Sequence, residues 1–135
     1  MDYFLTEEQQ MIVETAREIT REKIFPVRAE LDEKNEFAAE ILDNIAKADL
    51  FSIIVPEEYG GLGGGGFEIL LALEELARGC VGVATSFAAS ALGIYPVILV
   101  GSDEMKAKYL PDVATGKRLA AFGLTEAGAG SDASG

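Results

Sequence analysis

Apolar positions recur every three to four residues along most of the chain, the period of helices that turn one face inward. Thr6 stands three residues before Gln9, the spacing of a capping box, and Ile12, Val13, Ala16 and Ile19 then repeat up to Phe25-Pro26. This predicts one amphipathic helix. Glu14 with Arg17 and Glu18 with Arg21 lie three residues apart, the pattern of a solvated face. Two shorter helices follow, from about Val27 to Lys34 and from about Phe37 to Leu50, the second with Ile41, Leu42, Ile45 and Ala46 on its apolar side.

The stretch from about Phe67 to Arg78 predicts a helix with Leu70, Leu73, Leu76 and Ala77 inward, Glu74 and Glu75 outward, and Gly79 at its end. No charge then occurs from Cys80 through Gly101. A run of that length raises the possibility of a membrane span. Thr85, Ser86 and Ser90, the breaks at Gly93 and Pro96, and flanks without a basic cluster argue against one. A helix apolar or small all round belongs at the centre of a bundle. On it, Ala84, Thr85, Ala88, Ala89 and Leu92 share a stripe of nearly all small side chains. Close helix packing and the wall of an apolar cavity both use such a stripe, and spacing by itself favours packing.

Ser102 is positioned to cap a last helix bearing Met105, Tyr109 and Leu110, with Asp103 and Glu104 in its first turn and Pro111 and Gly116 marking its decline. Beyond Gly116 the period becomes an alternation: Leu119, Ala121 and Gly123 interleave with Ala120, Phe122 and Leu124. That predicts a short strand opening a new layer.

Between the third and fourth predicted helices lies "LFSIIVPEEYGGLGGGG", with six glycines in the seven positions from Gly60. Gly61, Gly63 and Gly66 satisfy G-x-G-x-x-G, the pattern of a dinucleotide loop. Pro56-Glu57-Glu58-Tyr59 separates the apolar run from the glycines, Glu57 and Glu58 would face a pyrophosphate, and no acidic residue follows at the expected distance. No Gly-Lys-Ser/Thr follows for a phosphate-binding P-loop. The segment reads as a flexible loop in which glycine permits positive φ and close backbone approach.

Composition narrows the chemistry. The chain's 135 residues suit one domain, and 49% hydrophobic with 25% charged residues suits a folded one. A net charge of −12 repels phosphate backbones, which argues against nucleic acid as a partner. The single Cys80 and the absence of histidine remove intramolecular disulfides, Cys/His metal sites and imidazole bases; Cys80 reads as a small core residue. With neither a signal-peptide nor a transit-peptide pattern after Met1, the expected compartment is cytoplasmic. Thr125, Ser131 and the glycine-flanked amides between them form a candidate hydroxyl-and-amide cradle for an anionic or heterocyclic ligand.

Taken in order, "VPEEYGGLG" at 55 to 63, the helix carrying "LEELARG", and "FGLTEAGAGSD" at 122 to 132 resemble the N-terminal region of the acyl-CoA dehydrogenase family over essentially the whole chain. The resemblance implies an all-α, N-terminal helical-bundle domain over residues 1–117, followed at 118–135 by the first strand and flavin-contacting loop of a β domain. It implies FAD as cofactor, an acyl-CoA as substrate, and conversion of the thioester to a trans-2-enoyl-CoA. Electron-transfer flavoprotein would be the acceptor, and the intact enzyme would be a homo-oligomer.

By position in the motif, Phe122, Leu124 and Thr125 would meet the flavin, Ser131 the phosphate end and the thioester's arm, and Ala84, Thr85, Ala88, Ala89 and Leu92 the acyl group. Ala127 stands where the family often has proline. The family's catalytic glutamate comes from a later helical domain, so no catalytic residue is assigned here and these residues alone are expected to be inactive; Glu126 reads as structural or solvent-facing. An oxidase or flavin monooxygenase of the same fold, or a helical interaction module that binds no flavin, are the alternatives.

Overall fold

The computed structural model describes residues 4–134. Helix α1 (Glu7–Ile19) starts in the predicted capping box: Thr6 Oγ1 accepts from Gln9 N and the Gln9 side chain accepts from Thr6 N. It runs on through one widened π turn (Thr20–Ile24). The remaining helices are α2 (Arg28–Lys34), α3 (Ala39–Lys47), α4 (Gly66–Gly79), α5 (Val81–Val100) and α6 (Asp103–Ala114), the last capped by Ser102 Oγ. The apolar run at 50–59 forms two short 3-10 turns, Leu50–Ser52 and Glu57–Tyr59.

Among the described residues, two clusters make up the core. The larger joins α1, α3, α4 and the first half of α5, with the Phe51 and Phe87 rings tilted against each other at 5.3 Å. The smaller joins Val55 and Ile94 to Leu110, Val113 and Ala114 of α6. Gly116 closes α6 with φ +68, and a Cβ there would lie 2.3 Å from that of Ala46. A side chain is excluded twice over, by backbone conformation and by the neighbouring helix.

Helix α4 is rotated from its predicted orientation. Ile69, Ala72, Glu75, Leu76 and Gly79 face inward, while Leu70 is 62% exposed. The cause is α1. Arg17 forks onto Glu75, with Nη2 at 2.9 Å from Oε1 and Nε at 3.2 Å from Oε2, and Thr20 Oγ1 donates to Glu75 O at 3.0 Å. A paired carboxylate can be buried where an isolated one cannot. Gly79 also differs from its expected role as a terminator: a Cβ there would lie 2.7 Å from Ile24 Cγ2 and 2.9 Å from Thr20 Cγ2, so it lets the π turn seat against α4.

Replacing Arg17 by Met keeps the aliphatic stem but leaves Glu75, 5% exposed, with Arg78 Nη1 at 3.7 Å as its remaining cation among the described residues. Because the Arg17 side chain is itself 48% exposed, the expected loss in urea unfolding is moderate, about 1–3 kcal/mol.

At the other end of α4, Glu68 accepts from Gln9 Nε2 at 2.7 Å and from Gly65 N at 2.8 Å. The Gln9 bond first, and the Gly65 amide next, hold its carboxyl below the ordinary carboxylate range. A depressed folded value means that the stabilisation is complete above the unfolded pKa and is lost as pH falls through the folded one. Glu68→Gln is therefore expected to melt below the parent at neutral pH, with the gap in Tm closing as the solution is acidified through the carboxylate range.

Helix α5 is also not buried all round. It is long and apolar enough to cross a membrane, yet only 28% of its most apolar stretch is buried. One face, with Val83, Ala84, Phe87, Ser90 and Ile94, packs inward; Leu92, Tyr95, Leu99 and Val100 are exposed. Among the described residues the segment after α6 pairs with no strand. Its one bridge lies within a tight turn, Glu126 to Ala129. An alternating sequence becomes a strand only where another strand meets its edge.

Candidate functional site

The glycine loop uses its amides internally. Gly60 N and Gly61 N donate to Glu57 O and Pro56 O; Leu62, Gly63 and Gly64 N donate to Ser52, Val55 and Ile53 O at 2.9, 2.9 and 2.7 Å. The flexible loop read from the sequence is in fact a turn folded tightly onto the apolar run, and the amides a phosphate would need are already occupied. It places Gly66, and so the start of α4, beside α5.

Between these helices lies an apolar groove of about 430 Å³. Ile54 lines it, Gly66, Ile69 and Leu73 form the α4 side, and Thr85, Ala88, Ala89, Leu92 and Tyr95 belong to α5. Small side chains on α5 leave the space open. Four of the five stripe residues named from the sequence therefore line one groove. Ala84 does not: it is 3% exposed and packs into the main core with Val83 and Phe87. Its offset of one residue from Thr85 turns it about 100° round the helix, onto the inward face.

The other flank of α5 holds the segment that leads to the candidate cradle. Ser90 Oγ donates to Ala120 O at 3.3 Å and accepts from Ala120 N at 3.2 Å. At Gly93 a Cβ would stand 2.5 Å from Ala121 N, so only glycine admits that crossing. Upstream, Asp112 accepts from Lys117 Nζ at 3.0 Å and Arg118 Nε at 2.8 Å. Lys117 and then Arg118 lower its carboxyl against an opposing desolvation effect. In the sequence, Ser90 and Gly93 stand out only as arguments against a membrane span. A hydroxyl and a glycine three residues apart in an uncharged helix were the available signal for a backbone crossing.

Past this anchor, Phe122 is 46% and Leu124 56% exposed, and Thr125 and Ser131 are also on the surface. None of the four lines the groove. Glu126 N donates to Ala129 O at 3.0 Å and Ala129 N to Glu126 O at 3.2 Å. That exchange satisfies two amides of the proposed cradle and leaves the Thr125 and Ser131 side chains on either side of the turn. Ala127 occupies the second position of this turn, and its φ is not positive, a place where proline is favoured.

Residues 6–117 match the family model described as acyl-CoA dehydrogenase, N-terminal domain. The acyl-CoA dehydrogenase of Bacillus subtilis is 37% identical over 131 residues, covering 96% of this chain and 34% of that protein. The caffeyl-CoA reductase-Etf complex subunit CarC of Acetobacterium woodii is 39% identical over 135 residues, covering 98% of this chain and 35% of that protein. Among solved structures, an acyl-CoA dehydrogenase complexed with FAD from Bacillus anthracis superposes with a TM-score of 0.86 at 37% identity, covering 96% of this chain and 22% of that one. The chain spans about a third of the length of the curated relatives it matches.

Proposed function

The chain belongs to the acyl-CoA dehydrogenase family through its N-terminal domain, and from that premise we propose that it serves FAD-dependent α,β-dehydrogenation of an acyl-CoA thioester within a longer enzyme. The observation that carries this reading is the double use of α5. One flank opens an apolar groove at Thr85, Ala88, Ala89 and Leu92, and the other holds Ala120 and Ala121, at the root of the Phe122–Ser131 segment, through Ser90 and Gly93. A helix used this way sets an acyl chain and a cofactor in fixed relation.

The residues present fit a flavin. Phe122 and Leu124 offer exposed apolar surface to a planar heterocycle, and the Thr125 hydroxyl can donate to or accept from its polar edge. The bound flavin supplies the acceptor for the hydride leaving the β-carbon, while a carboxylate base takes the α-proton. What these residues contribute is position. The groove would hold the acyl tail, and the Ser131 hydroxyl is offered to the thioester's polar arm. No residue here is assigned as the base; Glu126 is exposed in its turn.

In this reading residues 1–117 form the helical domain, and the extended segment from 118 supplies the first strand of a β domain. The electron acceptor is an electron-transferring flavoprotein, a partner suggested by similarity to the subunit of the caffeyl-CoA reductase-Etf complex. The same similarity favours a second reading, in which the same residues serve reduction of an enoyl thioester.

The test is flavin content and acyl-CoA affinity in the full-length protein. Thr125→Ala and Ser131→Ala are each expected to weaken FAD or thioester binding by about 1–3 kcal/mol, where a buried hydrogen bond is lost. Unchanged affinities in both variants would remove these residues from the site.

A further inference from the structure

The end of α6 departs from a local rule. Asp112 stands in its last turn, where the helix dipole disfavours a carboxylate and where the turn itself carries no basic residue. Its partners lie past the helix end. Oδ1 accepts from Lys117 Nζ at 3.0 Å, Oδ2 from Arg118 Nε at 2.8 Å, and the Asp112 carbonyl from Arg118 N at 3.0 Å. Arg118 is therefore held twice by one residue, through its backbone and through its side chain. The helix is ended by other bonds: Gly116 N donates to Val113 O at 2.9 Å, Thr115 N to Pro111 O at 3.2 Å, and Gly116 takes the left-handed conformation with φ +68. The Asp112 side chain is thus not needed to stop α6, and what it does is tie the outgoing chain back onto it.

Two residues further on, Ser90 of α5 holds Ala120 by both its N–H and its carbonyl. Helices α5 and α6 share the smaller core cluster, through Ile94 and Leu110. The outgoing chain is fixed at 118 from one helix and at 120 from another that packs on it. A single anchor sets where a chain crosses; a second one sets its direction. Phe122 and Thr125 lie two and five residues beyond Ala120, so a small swing at Arg118 becomes a larger displacement at the groups offered to the flavin.

We propose that Asp112 is a positioning residue for the dehydrogenation: through Arg118 it aims the 122–131 segment, and with it the flavin, at the thioester. This rests on the reading that the segment meets the flavin. Asp112 touches neither ligand, and a partly buried ion pair at a helix end adds little to stability. Its effect falls on the alignment of the reacting groups, which governs the rate once both are bound, rather than on their affinities.

The experiment uses the full-length protein reconstituted with FAD and mixed anaerobically with butyryl-, octanoyl- and 3-phenylpropionyl-CoA, the fastest of which is carried forward. Bleaching of the flavin band gives the rate at saturating thioester and the thioester Kd separately. Asp112→Ala and Arg118→Gln are each expected to slow the saturated rate at least about threefold, with Kd changed less than about twofold. Because both act through one contact, the double variant should be no slower than the slower single one. Glu30→Ala, which removes an exposed ion pair to Lys34 on α2, should leave the rate as it is. Arg118 lies outside the helices, so Arg118→Gln keeps the test decisive even where Asp112→Ala folds poorly. A saturated rate within threefold of the parent in folded Arg118→Gln would overturn the proposal, as would a loss confined to Kd, rate losses that multiply in the double variant, or an equal slowing by Glu30→Ala. A parent protein that holds FAD but is bleached by none of the thioesters fails at the earlier step, the assignment of acyl-CoA chemistry, and this inference falls with it.

Discussion

Gly61→Ala is expected to destabilise the domain by about 3 kcal/mol or more, among the larger effects a single methyl group can have. A Cβ at this position would lie 1.8 Å from Val55 O, 2.3 Å from Val55 C and 2.6 Å from Val55 Cβ. No rotamer relieves that, because the two nearest obstructing atoms are backbone. Moving the loop outward would strain the bonds from Leu62, Gly63 and Gly64 to the 52–55 carbonyls, and moving the other strand of the turn would displace Ile53 and Val55, both 0% exposed. Each lost bond costs about 1 kcal/mol net, more if a buried carbonyl stays unpaired. Gly66→Ala is the matched control. Nothing lies within 4 Å of a Cβ there, and in a helix alanine gains about 0.5–1 kcal/mol over glycine. Urea unfolding of the two variants should therefore move the midpoint in opposite directions. Equal effects would mean that the glycine cluster serves flexibility rather than close approach.

The parts of the fold that depend on local chemistry were legible in the sequence. Thr6 with Gln9 and Ser102 with Met105 N form caps because capping needs only residues three apart in the chain. The orientation of α4 was not legible for the converse reason. Glu75 turns inward on account of Arg17, 58 residues away, and adjacent glutamates read by periodicity alone go to the wet face. Helix α5 shows a different limit. Uniform apolarity carries no phase, so its sequence could not say which side would be buried. The polar and small exceptions, Ser90 and Gly93, held that information.

The candidate site divides in the same way. Thr85, Ala88, Ala89 and Leu92 share a face and line the groove, whereas Ala84, counted with them by size, sits one residue toward the core. The 122–132 motif was conspicuous in the sequence, but its anchor was not. The two backbone bonds to Ser90 span 30 residues. A motif shows which groups are offered to a ligand; the contacts that hold them in place come from elsewhere in the chain.

Phe87→Ala is the second large effect, an expected loss of about 3–5 kcal/mol, the usual cost of emptying a buried aromatic site. Phe87 is 1% exposed and among the largest fully buried side chains, and its ring meets Phe51 at 5.3 Å in a tilted arrangement that adds to simple burial. The void would open where α5 meets Phe51, the residue before Ser52, whose carbonyl accepts from Leu62 N of the glycine turn. Leu92→Ala, on the same helix but 56% exposed, should cost less than about 1 kcal/mol. The contrast separates two jobs of α5. Its inner face seats the helix, and its outer flanks present the groove and grip Ala120. Loosening the seat should disturb both flanks together, so Phe87→Ala in the full-length protein is expected to lose flavin content and thioester affinity in parallel, while Leu92→Ala alters thioester affinity alone. Flavin retention at the parental level in a destabilised Phe87→Ala protein would show that the Ser90 and Gly93 crossing holds its register without the core beneath it, and the coupling argued from α5 would then be absent.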